Sequence, residues 1–251
     1  MSHKIAAVCL LMSCLFAAVY GAAKVPIAVY YESLCPDSAK FITEQLYPAV
    51  RGELRDVVDL TLVPFGKSQF FTQGAEVTFT CHHGPNECYG NKVHACAIEH
   101  IQANSYQVEY TRESLTIDFI NCLMKAGKNF PDNVYPGQRC AQENHINNWE
   151  NIKTCANSTE GSVLLRKAGE ATQRLKEPLT SVPTILFNEQ FEKKVNERAQ
   201  ENFVGTLCKY VSAPQPHICT AHNGAAAPSI TSVSAILGSL LGLWSIIRLF
   251  H

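Results

Sequence analysis

"KVPIAVYYESLCPDSAKFITEQLYPAV", residues 24–50, changes its period at Cys35. Before it, β-branched and aromatic residues fill both alternations, the pattern of a strand buried on both faces. After it, Ala39, Ile42, Leu46 and Val50 recur at helical spacing until Gly52 ends the run. Cys35 falls near the N-cap of that helix and Pro36 at its first position, where a missing N–H costs nothing. "DVVDLTLVPFG", residues 56–66, reads as a second strand with Val58, Leu60 and Leu62 on one face. Strand, helix and strand with short links predict a βαβ unit with a parallel pair.

The pattern resumes late in the chain. "SVPTILFNEQFEKKV", residues 181–195, predicts a strand, a turn at Asn188-Glu189 and a short second strand. "NERAQENFVGTLCKYV", residues 196–211, predicts one helix with Phe203, Leu207 and Tyr210 or Val211 on one face. A βαβ unit followed by ββα is the element order of an α/β, thioredoxin-like core. Its halves span residues 24–67 and 181–212. In such a core the loop before the third strand carries a cis-proline facing the active cysteine, and Pro183 stands at that place. Residues 68–180 interrupt the core with six cysteines and helical patterns in "NKVHACAIEHIQAN", "RESLTIDFINCLMKAG" and "GSVLLRKAGEATQRLK". A helical, disulfide-stapled insertion is expected there.

Both ends are apolar. "MSHKIAAVCLLMSCLFAAVYGAA" offers Lys4, an apolar run from Ile5 to Val19 and small residues at Ala22 and Ala23, so residues 1–22 read as a signal peptide. Residues 213–251 read as a linker and a hydrophobic tail, "ILGSLLGLWSIIRLFH", in which Arg248 carries the charge. A polar spacer and the small residues Asn223, Gly224 and Ala225 precede that tail, the pattern of a lipid-anchor attachment signal. The alternative is a transmembrane helix. Asn157 opens a glycosylation sequon, "NST". These features point to the secretory pathway, with a secreted, lysosomal or surface-anchored product and membrane contact through the tail. A net charge of −1 without a basic run excludes nucleic acid as an expected partner.

Eleven cysteines occur, and Cys9 and Cys14 leave with the signal peptide. Nine remain, an odd number for an oxidising compartment. Cys81, Cys88, Cys96, Cys122, Cys140, Cys155, Cys208 and Cys219 lie beyond residue 80 and are expected to form four disulfides. Cys35 is then the free thiol; the alternative orphan is Cys219. Spacing does not reveal the pairing. A helix N-terminus presents unpaired N–H groups and partial positive charge, which favour a thiolate, the nucleophilic form. Asp37, in the same first turn, opposes a second negative charge. Three residues past Cys35, where a redox pair places its second cysteine, stands Ser38, whose hydroxyl can donate to the sulfur.

"CHHGPNECYGNKVHAC", residues 81–96, packs cysteine and histidine densely enough for a zinc reading. The secretory context favours disulfides instead, and no metal is assigned. Cys81, His83, Gly84, Glu87, Cys88, Asn91 and Cys96, with His82 in a glutamine place, resemble the signature of the gamma-interferon-inducible lysosomal thiol reductase family. The resemblance extends over nearly the whole mature chain. It implies a glycosylated thiol reductase of the secretory and lysosomal route, linked to immune defence, that acts on protein disulfides without a cofactor. The family's first active cysteine maps onto Cys35 and its resolving cysteine onto Ser38, so an outside small thiol becomes the resolver. Pro183 is implied as the contact for substrate backbone. The competing expectation is a non-catalytic binding protein on the same scaffold.

Overall fold

The computed structural model describes residues 23–74, 76–103, 109–127 and 135–224. The signal segment and the tail from Ala225 lie outside the described residues, so the expectations for cleavage and for anchoring at Ala225 fall there.

Strand β1 (Val25–Tyr31) is the centre of a three-stranded sheet. It pairs in parallel with β2 (Val58–Pro64), Val25 opposite Val58 and Tyr31 opposite Pro64. On its other edge it pairs antiparallel with β5 (Thr184–Phe187), Tyr30 opposite Thr184. The crossover from β1 to β2 is a helical run of α1 (Pro36–Lys40), a π-helical segment (Phe41–Leu46) and α2 (Tyr47–Arg51). Pro48 has no N–H to return to the preceding turn, and the wide segment ends just before it. Phe41, Ile42, Leu46 and Ala49 bury their stripe against Val29, Tyr31, Ile185, Phe187 and Phe203. This is the thioredoxin-like core that the element order predicts.

The insertion carries its own core, where Val93, Phe119, Leu123 and Ile152 meet. Its helices are α3 (Pro85–His100), α4 (Arg112–Ala126), α5 (Gly137–Glu143), α6 (Trp149–Ala156) and α7 (Thr159–Gln173). It is not helical throughout. An antiparallel ribbon of β3 (Gln69–Gln73) and β4 (Glu76–Thr80) opens it. The physical source is plain in "QFFTQGAEVTFT": aromatic and β-branched residues flank Gly74, whose φ of 61° suits a tight turn.

Three further differences separate the structure from the sequence expectations. Asn188 and Glu189 do form the turn, both at positive φ, but the second strand is reduced to one bridge between Phe187 and Gln190. The chain is drawn into helix α8 (Lys193–Glu201) almost at once. The expected single helix breaks at Asn202 into α8 and α9 (Phe203–Leu207). There the Asn202 side chain accepts from Gly205 N–H, and Phe203 N–H goes to Gln45 Oε1. Finally, the region after residue 212 is not all linker. Helix α10 (His217–Gly224) is tied back by Cys208–Cys219, with Cys219 fully buried, and its last residues are Asn223 and Gly224. No helix among the described residues is long and apolar enough to cross a membrane.

Candidate functional site

Cys35 is the N-cap of α1, at φ −74° and ψ 124°, with Pro36 next. Its carbonyl accepts from Ala39 N–H at 2.9 Å, which starts the helix. The residue is 7 % exposed, and it is the free cysteine among the described residues. Its thiol points to the Val182 carbonyl at 4.0 Å. The Val182–Pro183 bond is cis. The fold thus brings the helix N-terminus and the Pro183 loop together. Ser38 lies one turn on and is fully buried; its Oγ accepts from Glu32 N–H at 3.5 Å, a long contact. Asp37 is exposed.

The dense cysteine and histidine stretch fastens helix α3 to the residues just before Cys35. Cys81–Cys88 closes the turn ahead of the helix. Gly84 is the N-cap at φ 86° and Pro85 follows. Glu87 reaches back, taking His83 N–H on Oε1 at 2.9 Å and His83 Nδ1 on Oε2 at 2.6 Å. Asn91 Oδ1 accepts from Ser33 N–H at 2.9 Å, and Ser33 Oγ donates to the Glu87 carbonyl at 3.2 Å. A Cβ on Gly90 would lie 2.5 Å from Ser33 Oγ, so this close approach requires glycine.

Beneath Cys35 sits a carboxylate that sequence reasoning missed. Glu32 is fully buried. Its Oε1 accepts from Lys67 N–H at 2.7 Å. Its Oε2 has no hydrogen-bond partner among the described residues and lies 3.3 Å from His83 Nδ1 and 3.4 Å from His82 Nδ1. Cys35 Sγ, a Glu32 oxygen and a His83 ring nitrogen all fall within 4.8 Å of one another. The available signal was a charged residue closing an otherwise apolar strand, "VYYESL". His94, also missed, is fully buried with Nδ1 2.9 Å from Tyr31 Oη. Burial pushes its pKa down to about 3 and pushes the Tyr31 hydroxyl well up.

The remaining cysteines are structural. Cys81–Cys88, Cys96–Cys155, Cys122–Cys140 and Cys208–Cys219 are disulfides, which removes those sulfurs from any metal. Asn157 is exposed at the end of α6, its amide donating to the Lys153 carbonyl. An open cleft of about 700 Å³ follows β1 and β5, lined by Tyr30, Arg174, Thr184 and Leu186; Cys35 and Ser38 do not line it.

A family model described as gamma interferon inducible lysosomal thiol reductase matches residues 26–144. GILT-like protein 1 of Drosophila melanogaster is 86 % identical over 251 residues, the whole of both chains. A gamma-interferon-inducible lysosomal thiol reductase-like protein of Anopheles gambiae is 50 % identical over 234 residues, 92 % of this chain and 96 % of that one. Among solved structures, the crystal structure of Chlamydia trachomatis DsbA aligns with a TM-score of 0.48 and 14 % identity, over 82 % of this chain and 90 % of that one.

Proposed function

The chain belongs to the gamma-interferon-inducible lysosomal thiol reductase family, and on that premise we propose that it is a thiol oxidoreductase attacking protein disulfides through Cys35 alone. The observation that carries the reading is a free thiol at a helix N-terminus, facing the cis-Pro183 loop, with Ser38 one turn away. The Cys35 thiolate attacks one substrate sulfur and forms a mixed disulfide, while the other sulfur leaves as a thiolate and takes a proton from water. Ser38 has no sulfur with which to displace the adduct. Two equivalents of a small thiol complete the reduction: the first opens the mixed disulfide, and the second is oxidised with it to the small-molecule disulfide. Backbone at Val182 and Pro183 flanks the reacting sulfur and holds the substrate strand.

The signal segment, the Asn157 sequon and four disulfides support passage through the secretory pathway, with the C-terminal tail as a means of membrane attachment. One observation favours the second reading, a non-catalytic binding scaffold: Cys35 is only 7 % exposed. Turnover of a disulfide-bonded protein, assayed with and without glutathione, separates the two. The enzyme reading requires turnover that depends on glutathione and vanishes in Cys35→Ser. Equal rates in wild type and Cys35→Ser would leave the scaffold.

A further inference from the structure

We propose that Glu32, Cys35 and His83 form a divalent-metal site directly on the candidate thiol, with zinc as the fitting ion and His82, beside Glu32 at the mouth, completing the ligand set. Thiolate, imidazole and carboxylate are the ligand set of zinc. Glu32 Oε2 is a fully buried carboxylate oxygen without a hydrogen bond among the described residues. Such a charge is costly in the interior unless a cation or a donor meets it. Its neighbour His82 Nδ1 stands 3.4 Å away. That is longer than an ordinary N–H···O bond of about 2.7–3.2 Å. It matches the edge of about 3.3 Å between nitrogen and oxygen ligands around a tetrahedral zinc with bonds of about 2.0–2.1 Å.

Glu87 supplies the supporting shell. A metal-bound histidine gives its other ring N–H to a carboxylate, which fixes the ring. Glu87 Oε2, fully buried, takes His83 Nδ1 at 2.6 Å and so fixes the ring beside Glu32 and Cys35. Cys35 is held by no disulfide, so its sulfur can close on the ion. Half-exposed His82 gives the ion a way in from solvent. The other two clusters of this kind among the described residues, around Cys122 and Cys155, have their sulfurs in disulfides.

Binding exchanges the thiol proton for the metal and releases it to solvent; nothing is oxidised or reduced. Coordination draws on the sulfur lone pair and lowers its nucleophilicity, so the ion acts as a removable mask on Cys35. The metal site stands whether or not Cys35 turns over substrate.

The test is titration of the disulfide-bonded mature protein with Co²⁺ and then Zn²⁺. The expected result is about one equivalent of cobalt giving the visible absorption of a tetrahedral ion and a thiolate-to-cobalt charge-transfer band, both displaced by zinc. Saturating zinc should slow Cys35 alkylation about tenfold or more, and a chelator should restore it. Cys35→Ser should abolish the charge-transfer band. His82→Ala, at a half-exposed side chain outside the cores, and Glu87→Gln should each weaken zinc about 10–100-fold. No charge-transfer band, or zinc affinity unchanged in both Cys35→Ser and His82→Ala, would overturn the proposal. A band present without glutathione-dependent turnover in chelator would overturn the enzymatic reading alone.

Discussion

Acidification should weaken the fold through His94. Burial lowers its pKa from 6.5 to about 3. Between those values the unfolded chain binds a proton that the folded chain refuses, so stability rises with pH across that window. The contribution is fully present above pH 6.5 and is lost as the pH falls toward 3. From pH 7 to pH 5 the loss is about 2 kcal/mol, at about 1.4 kcal/mol per pH unit below 6.5. That is a large share of a typical stability of about 5–15 kcal/mol. The comparison variant is His94→Asn, whose side-chain oxygen can still accept from the Tyr31 hydroxyl. Urea unfolding at pH 7 and pH 5 reads the difference. Wild type should lose about 2 kcal/mol more than the variant over this interval. Equal losses would refute the argument that a neutral, buried imidazole is part of the folded state.

Ser38→Cys should restore an internal resolving thiol, shorten the life of substrate adducts by about 100-fold as intramolecular attack replaces a bimolecular one, and raise turnover with dithiol reductants; rapid-quench alkylation measures both. Gly90→Ala should cost about 1–3 kcal/mol in urea unfolding, because its methyl group would meet Ser33 Oγ at 2.5 Å. Replacing Cys96 and Cys155 together by alanine frees a loop of 59 residues and should lower stability by about 4 kcal/mol, read by the same unfolding experiment.

The junction at Cys35 was legible because two periods meet there, and each is local. The strand's both-face burial and the helix stripe of Ile42 and Leu46 need no knowledge of the rest of the chain. The turn at Asn188-Glu189 was equally local, whereas the place of Pro183 followed from the order of elements along the whole core. What was hidden depends on partners far away in sequence. Glu32 makes sense only once Lys67 N–H and the His82 and His83 rings are brought to it. Asn91 is a contact residue only because α3 lies against Ser33. Cys96 meets Cys155 through the packing of α3 on α6, which spacing does not encode. The break at Asn202 follows from Gln45 capturing the next N–H across 158 residues.

The most direct test of single-cysteine chemistry is intact-protein mass spectrometry after exposure of the native, unreduced protein to a disulfide-bonded peptide. One adduct per chain should form, mapped to Cys35 in the peptide "LCPDSAK", and it should persist until glutathione is added. An adduct that clears without an added thiol, or none at all while Cys35 remains free, would contradict the account.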